Sequence, residues 1–313
     1  SFVCGFTALA YEVIWSRLLV FSIASTVYSF SMMLGVFLLG ITLGSLLVVT
    51  FSRSNLNLRT VLIFLQAGIG LYVIGSLYNI DQLLSAPWNG YNLQKPVFVF
   101  SRYFLDSSAL MLLPAIGLGM SFPILVKMIS GGYKHIGKET GQIYGVNTLG
   151  AISGSLLTGF LLIPKLGTQQ SLLLVATLNL LMVLFLFRTG DYFTKTLRKV
   201  MTVVLAGVIL IVNMGVPPDL LDRFFMRDST GQKDIRKLIY FEEGLTDTVA
   251  IFKDDYGVLD PNAKRLVTNG VSMSAVNFLA SRYMKLLAHI PIMLVDNPQD
   301  VLVVCFGTGQ TTG

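Results

Sequence analysis

Closely spaced glycines follow an apolar run near the end of the chain, and they suggest a nucleotide-binding turn. Residues 301–306 have the sequence VLVVCF, typical of a buried strand, and Gly307, Thr308, Gly309 and Gln310 come next. A glycine turn after a strand lets the backbone approach a nucleotide, whose charge or ribose lies at the carboxyl end of that strand. The same spacing is also common in ordinary turns. We therefore treat these four residues as candidate cofactor-binding residues.

Charged side chains within an apolar segment are the second candidate for chemistry. Glu12 and Arg17 lie in the first apolar segment, where a charge is costly unless it is paired or faces a polar cavity. On an ideal helix they are rotated by about 140° from each other, which is a poor arrangement for a mutual ion pair. One interpretation is a structural ion pair with another helix, or an arginine that snorkels at a helix end. The other is a substrate or proton pathway lined by Glu12, Arg17, Tyr28 and Asn147.

The histidines and cysteines do not form a metal-binding pattern. His135 and His289 are far apart and have no nearby cysteine, so a zinc site has no support. Cys4 and Cys305 lie in different regions, which argues against a disulfide framework. We expect no metal ion in this part of the protein.

The composition is that of a membrane protein. Hydrophobic residues make up 53% and charged residues 13% of the chain, and the mean hydropathy is +0.70, values outside the range of soluble globular domains. Up to Gly215 there are 13 Lys and Arg against 5 Asp and Glu, whereas from Val216 onward the counts are 10 and 12. The basic excess therefore belongs to the apolar part, where cationic loops flank membrane helices. It gives no support for nucleic-acid binding.

Apolar segments predict about seven membrane helices, because a span needs about 20 mostly apolar residues. The segments are 2–24, 26–51, 60–79, 104–129, 141–164, 169–187 and 199–214. The longest link contains Pro87, Trp88 and Tyr91, which suggests an extramembrane loop with aromatic side chains at the headgroup level.

Two glycine pairs, Gly40 with Gly44 and Gly150 with Gly154, have the spacing of close helix contacts. They are consistent with tight packing or with a sliding contact in a transporter.

Short elements replace the long apolar runs after Val216. Residues 238–252 favour strand structure, and residues 264–270 indicate a strand that enters a hairpin turn at Asn269 and Gly270. Residues 280–294 have helical spacing. The second region thus contains a small β-rich part, a helix and a final strand.

The order of these features resembles the spermidine synthase-like family. It runs from Asn269-Gly270 through His289-Ile290-Pro291 and Asn297-Pro298 to Val301–Gly309. In that family a small amino-terminal β-domain precedes a Rossmann-like, methyltransferase-type α/β domain. Residues 8–19, 25–47 and 141–167 resemble the membrane-embedded branch of the family. The apolar front half as a whole is also similar to half of a major-facilitator-type helix bundle.

The resemblance implies three regions and a group-transfer activity. Residues 1–215 would form an α-helical transmembrane bundle, residues 216–295 the β-domain with its linking helix, and residues 296–313 the start of the Rossmann-like domain. The donor would be S-adenosylmethionine or its decarboxylated form, and the group aminopropyl or methyl. The acceptor would be a polyamine or another small molecule, and the catalytic residues would follow Gly313. The alternative is a major-facilitator-like transporter with a ligand-sensing or inactive tail.

Two positions depart from the family pattern. Cys305 stands where the family loop has its first glycine, and Lys285 stands where soluble members carry a glutamate beside the amine. A lysine at that place would repel a cationic acceptor.

Loop charges predict the orientation in a bilayer. Links after the second, fourth and sixth segments hold most of the cations, which places them in the cytoplasm: Arg53, Arg59, Lys127, Lys134, Lys138, Arg188, Lys195, Arg198 and Lys199, against Lys95, Arg102 and Lys165 in the others. A seventh crossing would put the tail outside, where no adenosyl donor is supplied. The alternatives are a further span before the first segment and a tail that acts outside on something else. We favour a seventh segment that does not cross, a cytoplasmic tail, and a multi-pass protein of a bacterial inner membrane. A homo-oligomer is left open.

Overall fold

The computed structural model describes residues 1–23, 26–51, 57–85, 96–129, 136–189, 195–217, 220, 237–253, 260 and 262–312. Contacts divide the chain into two compact units, Ser1–Phe225 and Met226–Gly313, and each is described by itself. The loop residues Pro87, Trp88 and Tyr91 lie outside the described residues.

Helices build the described part of the first unit. They are α1 (Phe2–Ile23), α2 (Val27–Phe51), α3 (Leu58–Tyr78), α4 (Ile80–Ser85), α5 (Pro96–Ser107), α6 (Leu113–Ile129), α7 (Ile136–Leu157), α8 (Ile163–Thr189) and α9 (Lys195–Gly215). A π-helical stretch, Ser108–Leu112, joins α5 to α6, and another, Thr158–Leu162, joins α7 to α8.

Five helical stretches are long and apolar enough to cross a membrane. They are Phe2–Phe21, Val27–Thr50, Leu58–Tyr78, Val97–Ile129 and Gly137–Thr189. The last would measure about 80 Å as one straight helix, far more than the ~30 Å of a hydrocarbon core. It bends at Gly167, whose φ of 80° and ψ of 165° are not helical. Its two arms contain the predicted segments 141–164 and 169–187.

The predicted seventh segment lies in α9. Among the residues whose side chains the structure describes, the apolar stretch found there is Lys199–Ile209, which is shorter than a span. The structure therefore confirms an apolar helical bundle with five helices of spanning length, and seven crossings stay a prediction.

Local hydrogen bonds explain where two helices begin. The Thr26 N–H donates to Ser29 Oγ at 3.0 Å, and the Ser29 N–H donates to Thr26 Oγ1 at 3.1 Å, a reciprocal pair that satisfies donors at the start of α2. Asn57 Oδ1 accepts from the N–H groups of Arg59 and Thr60 and caps α3. Arg59 thus lies in the first turn of α3 and not in the preceding loop.

Glycines bring the backbones of α1 and α7 into contact. A Cβ atom at Gly150 would overlap the carbonyl oxygen of Phe2, and one at Gly154 would overlap that of Phe6. The contacting residue numbers increase together on both helices, so α1 and α7 run parallel. The close approach requires glycine at both positions.

The pair of α2 with α6 repeats this contact. A Cβ at Gly40 would crowd the carbonyl oxygen of Leu112, and one at Gly44 would overlap that of Ile116. The same separation in residue number relates Gly40 to Gly150, Gly44 to Gly154, Phe2 to Leu112 and Phe6 to Ile116. These contacts support the tight-packing interpretation of both glycine pairs.

The remaining contacts show two three-helix repeats of opposite direction. Three helix pairs are antiparallel, because the residue numbers of one helix fall as those of its neighbour rise. The contacts are Cys4 with Met182 and Tyr11 with Asn179 for α1 and α8; Gln66 with Asn179 and Gly70 with Ala176 for α3 and α8; and Gln66 with Ser121 and Ile69 with Gly117 for α3 and α6. Helices α1 and α3 therefore run one way, and α6 and α8 run the other. The first repeat is α1–α3, and the second is α6–α8.

Four antiparallel strands form a meander in the second unit. The strands are β1 (Lys237–Glu243), β2 (Thr248–Lys253), β3 (Lys264–Thr268) and β4 (Val271–Val276), paired in chain order. Thr248, Ala250 and Phe252 alternate on the buried face of β2, as expected for a strand with one covered face. The predicted strand region 238–252 is thus a hairpin of two strands.

The predicted hairpin turn and linking helix are confirmed. Asn269 and Gly270 have φ values of 51° and 77°, as an Asn-Gly turn between antiparallel strands requires. Helix α10 (Phe278–Leu294) follows β4, and Asn277 Oδ1 caps it by accepting from the Ala280 N–H at 2.8 Å.

The buried strand predicted at residues 301–306 is wrong. These residues have no regular secondary structure, and Leu302 and Val304 are exposed. A strand is held by ladder hydrogen bonds to a neighbour, and no described strand pairs with this segment. The Rossmann-like domain therefore stays a prediction.

Candidate functional site

The glycine loop of the second unit has a tight, left-handed backbone. Gly307 and Gly309 have φ values of 57° and 74°. The Gly309 N–H donates to the Phe306 carbonyl at 2.9 Å, and the Thr312 N–H donates to the Gly309 carbonyl at 3.2 Å, so two turns follow each other. A Cβ at Gly309 would lie 2.9 Å from the Phe306 ring. Both glycines are thus required by conformation or by space.

A side-chain contact ties this loop to the sheet and to α10. The Thr308 and Ser274 hydroxyl oxygens are 2.8 Å apart, and the Ser274 hydroxyl also donates to Met284 Sδ at 3.4 Å. Ser274 is a buried residue of β4. The sequence prediction included Thr308 but missed Ser274, since a serine within a strand carries no signal of its own.

Cys305 occupies a backbone conformation that favours glycine. Its φ is 73° and its side chain is exposed, and a positive φ is uncommon in residues with a Cβ. Because the thiol is exposed, we place the cost of cysteine at this position in the backbone.

Polar side chains flank the two glycines of the loop. Gln310 and Thr308 are half-buried next to the two glycines, and donor binding by these four residues stays a prediction. Among the residues that the structure describes, no group of three His, Cys, Asp or Glu side chains could hold a metal ion.

The four polar residues predicted to line a pathway lie on three helices of the first unit. Glu12 and Arg17 are half-buried on α1, and Asn147 is half-buried on α7 beside Gly5. Tyr28 is 67% exposed at the start of α2, and its ring packs edge-on against Phe100. Tyr28 therefore lies on the outer surface of the bundle, and a shared pathway stays a prediction.

A buried chain of hydrogen bonds lies in the bundle core instead. The Tyr11 hydroxyl donates to Asn179 Oδ1 at 3.0 Å, Asn179 Nδ2 donates to Gln66 Oε1 at 2.5 Å, and Gln66 Nε2 donates to Ser121 Oγ at 3.0 Å. The Ser121 hydroxyl then donates to the Gly117 carbonyl at 2.9 Å. Tyr11, Gln66, Asn179 and Ser121 are called the polar chain below.

The polar chain is completely enclosed. Tyr11, Gln66 and Asn179 have no exposed surface, and Ser121 is 1% exposed. Lone amides in apolar helices, such as Gln66 and Asn179, were the available sequence signal, because a buried amide needs partners. The prediction rested on charged groups and did not include these two amides.

A part-buried ion pair corrects the placement of one cation in the charge count. Arg102 lies within α5, and its Nε is 3.4 Å from Asp106 Oδ2, whose side chain is 1% exposed. Arg102 therefore balances a buried carboxylate and is not a loop cation that reports orientation.

A curated relative matches almost the whole chain. It is a polyamine aminopropyltransferase of Oceanobacillus iheyensis, 24% identical over 318 aligned residues that cover 98% of this chain and 54% of the relative. The chain thus spans about half the length of the curated relative it matches. No family model and no solved structure matches the chain. The alignment supports a distant spermidine synthase-like relation.

Proposed function

We propose that this chain belongs to a membrane-bound, spermidine synthase-like protein that transfers an aminopropyl group from decarboxylated S-adenosylmethionine to an amine. The observation that carries the proposal is the alignment with a polyamine aminopropyltransferase over 98% of the chain. Because the alignment runs through the bundle as well as the second unit, the two parts belong to one kind of protein.

The bundle is the membrane anchor in this proposal. Five helices of spanning length fit a multi-pass protein in the lipid bilayer of a bacterial inner membrane. The second unit lies on the cytoplasmic side, where adenosyl donors are made.

The chemistry needs orientation more than bond-making groups from the protein. The acceptor nitrogen forms a bond to the aminopropyl carbon while the carbon–sulfur bond breaks, so the sulfonium leaves as a neutral thioether. The nitrogen then loses a proton to a base. Holding donor and amine in line supplies most of the rate advantage. In this chain Gly307, Thr308, Gly309 and Gln310 hold the donor, and Ser274 positions Thr308.

Donor binding by the full-length protein in membranes tests the proposal. Gly307→Val places a side chain on a backbone with φ of 57°, so we expect at least a tenfold loss of affinity for decarboxylated S-adenosylmethionine. Gly207→Val is the matched control, because a Cβ there meets nothing within 4 Å. Absence of affinity for any adenosyl sulfonium in the unaltered protein, or equal binding by Gly307→Val, would refute the proposal.

A further inference from the structure

Every hydrogen bond between members of the polar chain joins one three-helix repeat to the other. Tyr11 of α1 bonds to Asn179 of α8, Asn179 bonds to Gln66 of α3, and Gln66 bonds to Ser121 of α6. Helices α1 and α3 belong to the first repeat, and α6 and α8 belong to the second. The three bonds therefore cross the boundary between the repeats three times.

The ends of the polar chain are equivalent positions of the two repeats. The offset that relates Phe2 to Leu112 and Gly40 to Gly150 also relates Tyr11 to Ser121. Gln66 and Asn179 lie between these ends on α3 and α8, the helices that the repeats contribute to a shared contact. The polar chain therefore begins in one repeat and ends at the equivalent position of the other repeat.

The bonds also run in one direction, and each depends on the next. Tyr11 donates to Asn179, which donates to Gln66, which donates to Ser121, which donates to a backbone carbonyl. If the repeats separated, the two amides would lose their partners in surroundings without water. An unpaired buried polar group is costly, whereas apolar contacts between helices give little net drive in lipid.

We infer that the polar chain is a latch that holds the two repeats in one closed arrangement of the bundle. It carries no charged residue, so the hold does not depend on a protonation state. The latch concerns the bundle alone, and it stands whether or not the second unit binds an adenosyl donor.

Cys4 is a native reporter of this closed arrangement. Its thiol is 4% exposed. Gln66 Nε2 lies 3.6 Å from its sulfur, and Met182 Sδ lies 3.9 Å away. Cys305 is exposed in the same chain and serves as an internal standard for thiol reactivity.

The test is N-ethylmaleimide labelling of the full protein in membrane vesicles, with the peptides that contain Cys4 and Cys305 quantified separately by mass spectrometry. We expect Gln66→Leu and Asn179→Leu each to raise the Cys4 rate, relative to Cys305, by roughly 3- to 30-fold, the range for loss of one buried interhelical hydrogen bond. Ser153→Ala is the control, because that exposed hydroxyl bonds only to the Leu149 carbonyl of its own helix, and its rates should equal those of the parent.

The double variant separates a latch from simple packing. Because the second substitution removes groups that the first has already left unpaired, the double variant should react no faster than the faster single variant. Tyr11→Phe, which keeps the ring and removes only the hydroxyl, guards against misfolding and should also raise the Cys4 rate. Unchanged rates in all single variants, or fold-changes that multiply in the double variant, would overturn the inference.

Discussion

The hydroxyl oxygens of Thr308 and Ser274 lie 2.8 Å apart and connect the glycine loop to strand β4. The loop is thus held by a residue of β4, from which α10 separates it in the chain. This contact gives the small sheet a part in shaping the candidate donor site.

Thr308→Val is expected to weaken donor binding about fivefold. The substitution keeps the shape of the side chain and removes one neutral hydrogen bond, worth about 1 kcal/mol. Titration of the full protein with decarboxylated S-adenosylmethionine measures the effect. Thr246→Val is a suitable control, since that exposed hydroxyl contacts only Asp247. Equal affinities of the Thr308→Val variant and the parent would show that the tie to Ser274 does not shape the site.

Cys305→Gly is expected to stabilise the second unit by about 1 kcal/mol. The position has a φ of 73°, which glycine adopts without the cost that a Cβ brings. Amide hydrogen exchange in residues 303–310 should slow down. Cys305→Ala removes the thiol but keeps the Cβ, so it should leave exchange unchanged. A gain in the alanine variant as large as in the glycine variant would place the cost in the thiol instead.

Local patterns predicted the elements whose stability is local. The Asn269-Gly270 turn and the helix around Met284 needed only turn chemistry and helical spacing. The strand at residues 301–306 failed, because its apolar sequence says nothing about whether a partner strand lies beside it.

The candidate sites divide in the same way. Glycine spacing pointed to Gly307 and Gly309, whose conformation is set within the loop. The contacts of Ser274 and of the polar chain join helices and strands that are far apart in sequence. In the sequence itself, the offset between the repeats is visible in the two glycine pairs. Contacts of this kind arise when distant elements pack together in three dimensions, and a single sequence does not show that packing directly.

Asn269→Ala is expected to destabilise the β-domain by about 1–3 kcal/mol. Asn269 Oδ1 accepts from the Thr248 N–H at 2.9 Å, and its amide donates to the exposed Asp247 at 2.6 Å. Alanine removes the partner of the Thr248 N–H, and it tolerates the positive φ less well than asparagine. Asn262→Ala alters an exposed asparagine and should change little. Thermal unfolding followed by circular dichroism measures both variants. Equal midpoints would mean that the turn forms without these bonds.

Gly154→Val is expected to prevent the close packing of α1 against α7. A Cβ there would overlap the Phe6 carbonyl, and backbone cannot move aside as a flexible side chain can. Gly145→Val is the matched control on the same helix, because a Cβ at that position meets nothing within 4 Å.

The yield of folded protein in detergent and its melting temperature measure the effect. Gly154→Val should lower both, and Gly145→Val should lower neither. Since α2 and α6 repeat the same contact, Gly44→Val should match Gly154→Val, with Gly35→Val as its control. A harmless Gly44→Val beside a damaging Gly154→Val would contradict the equivalence of the two repeats, because equivalent contacts must respond alike to the same added atoms.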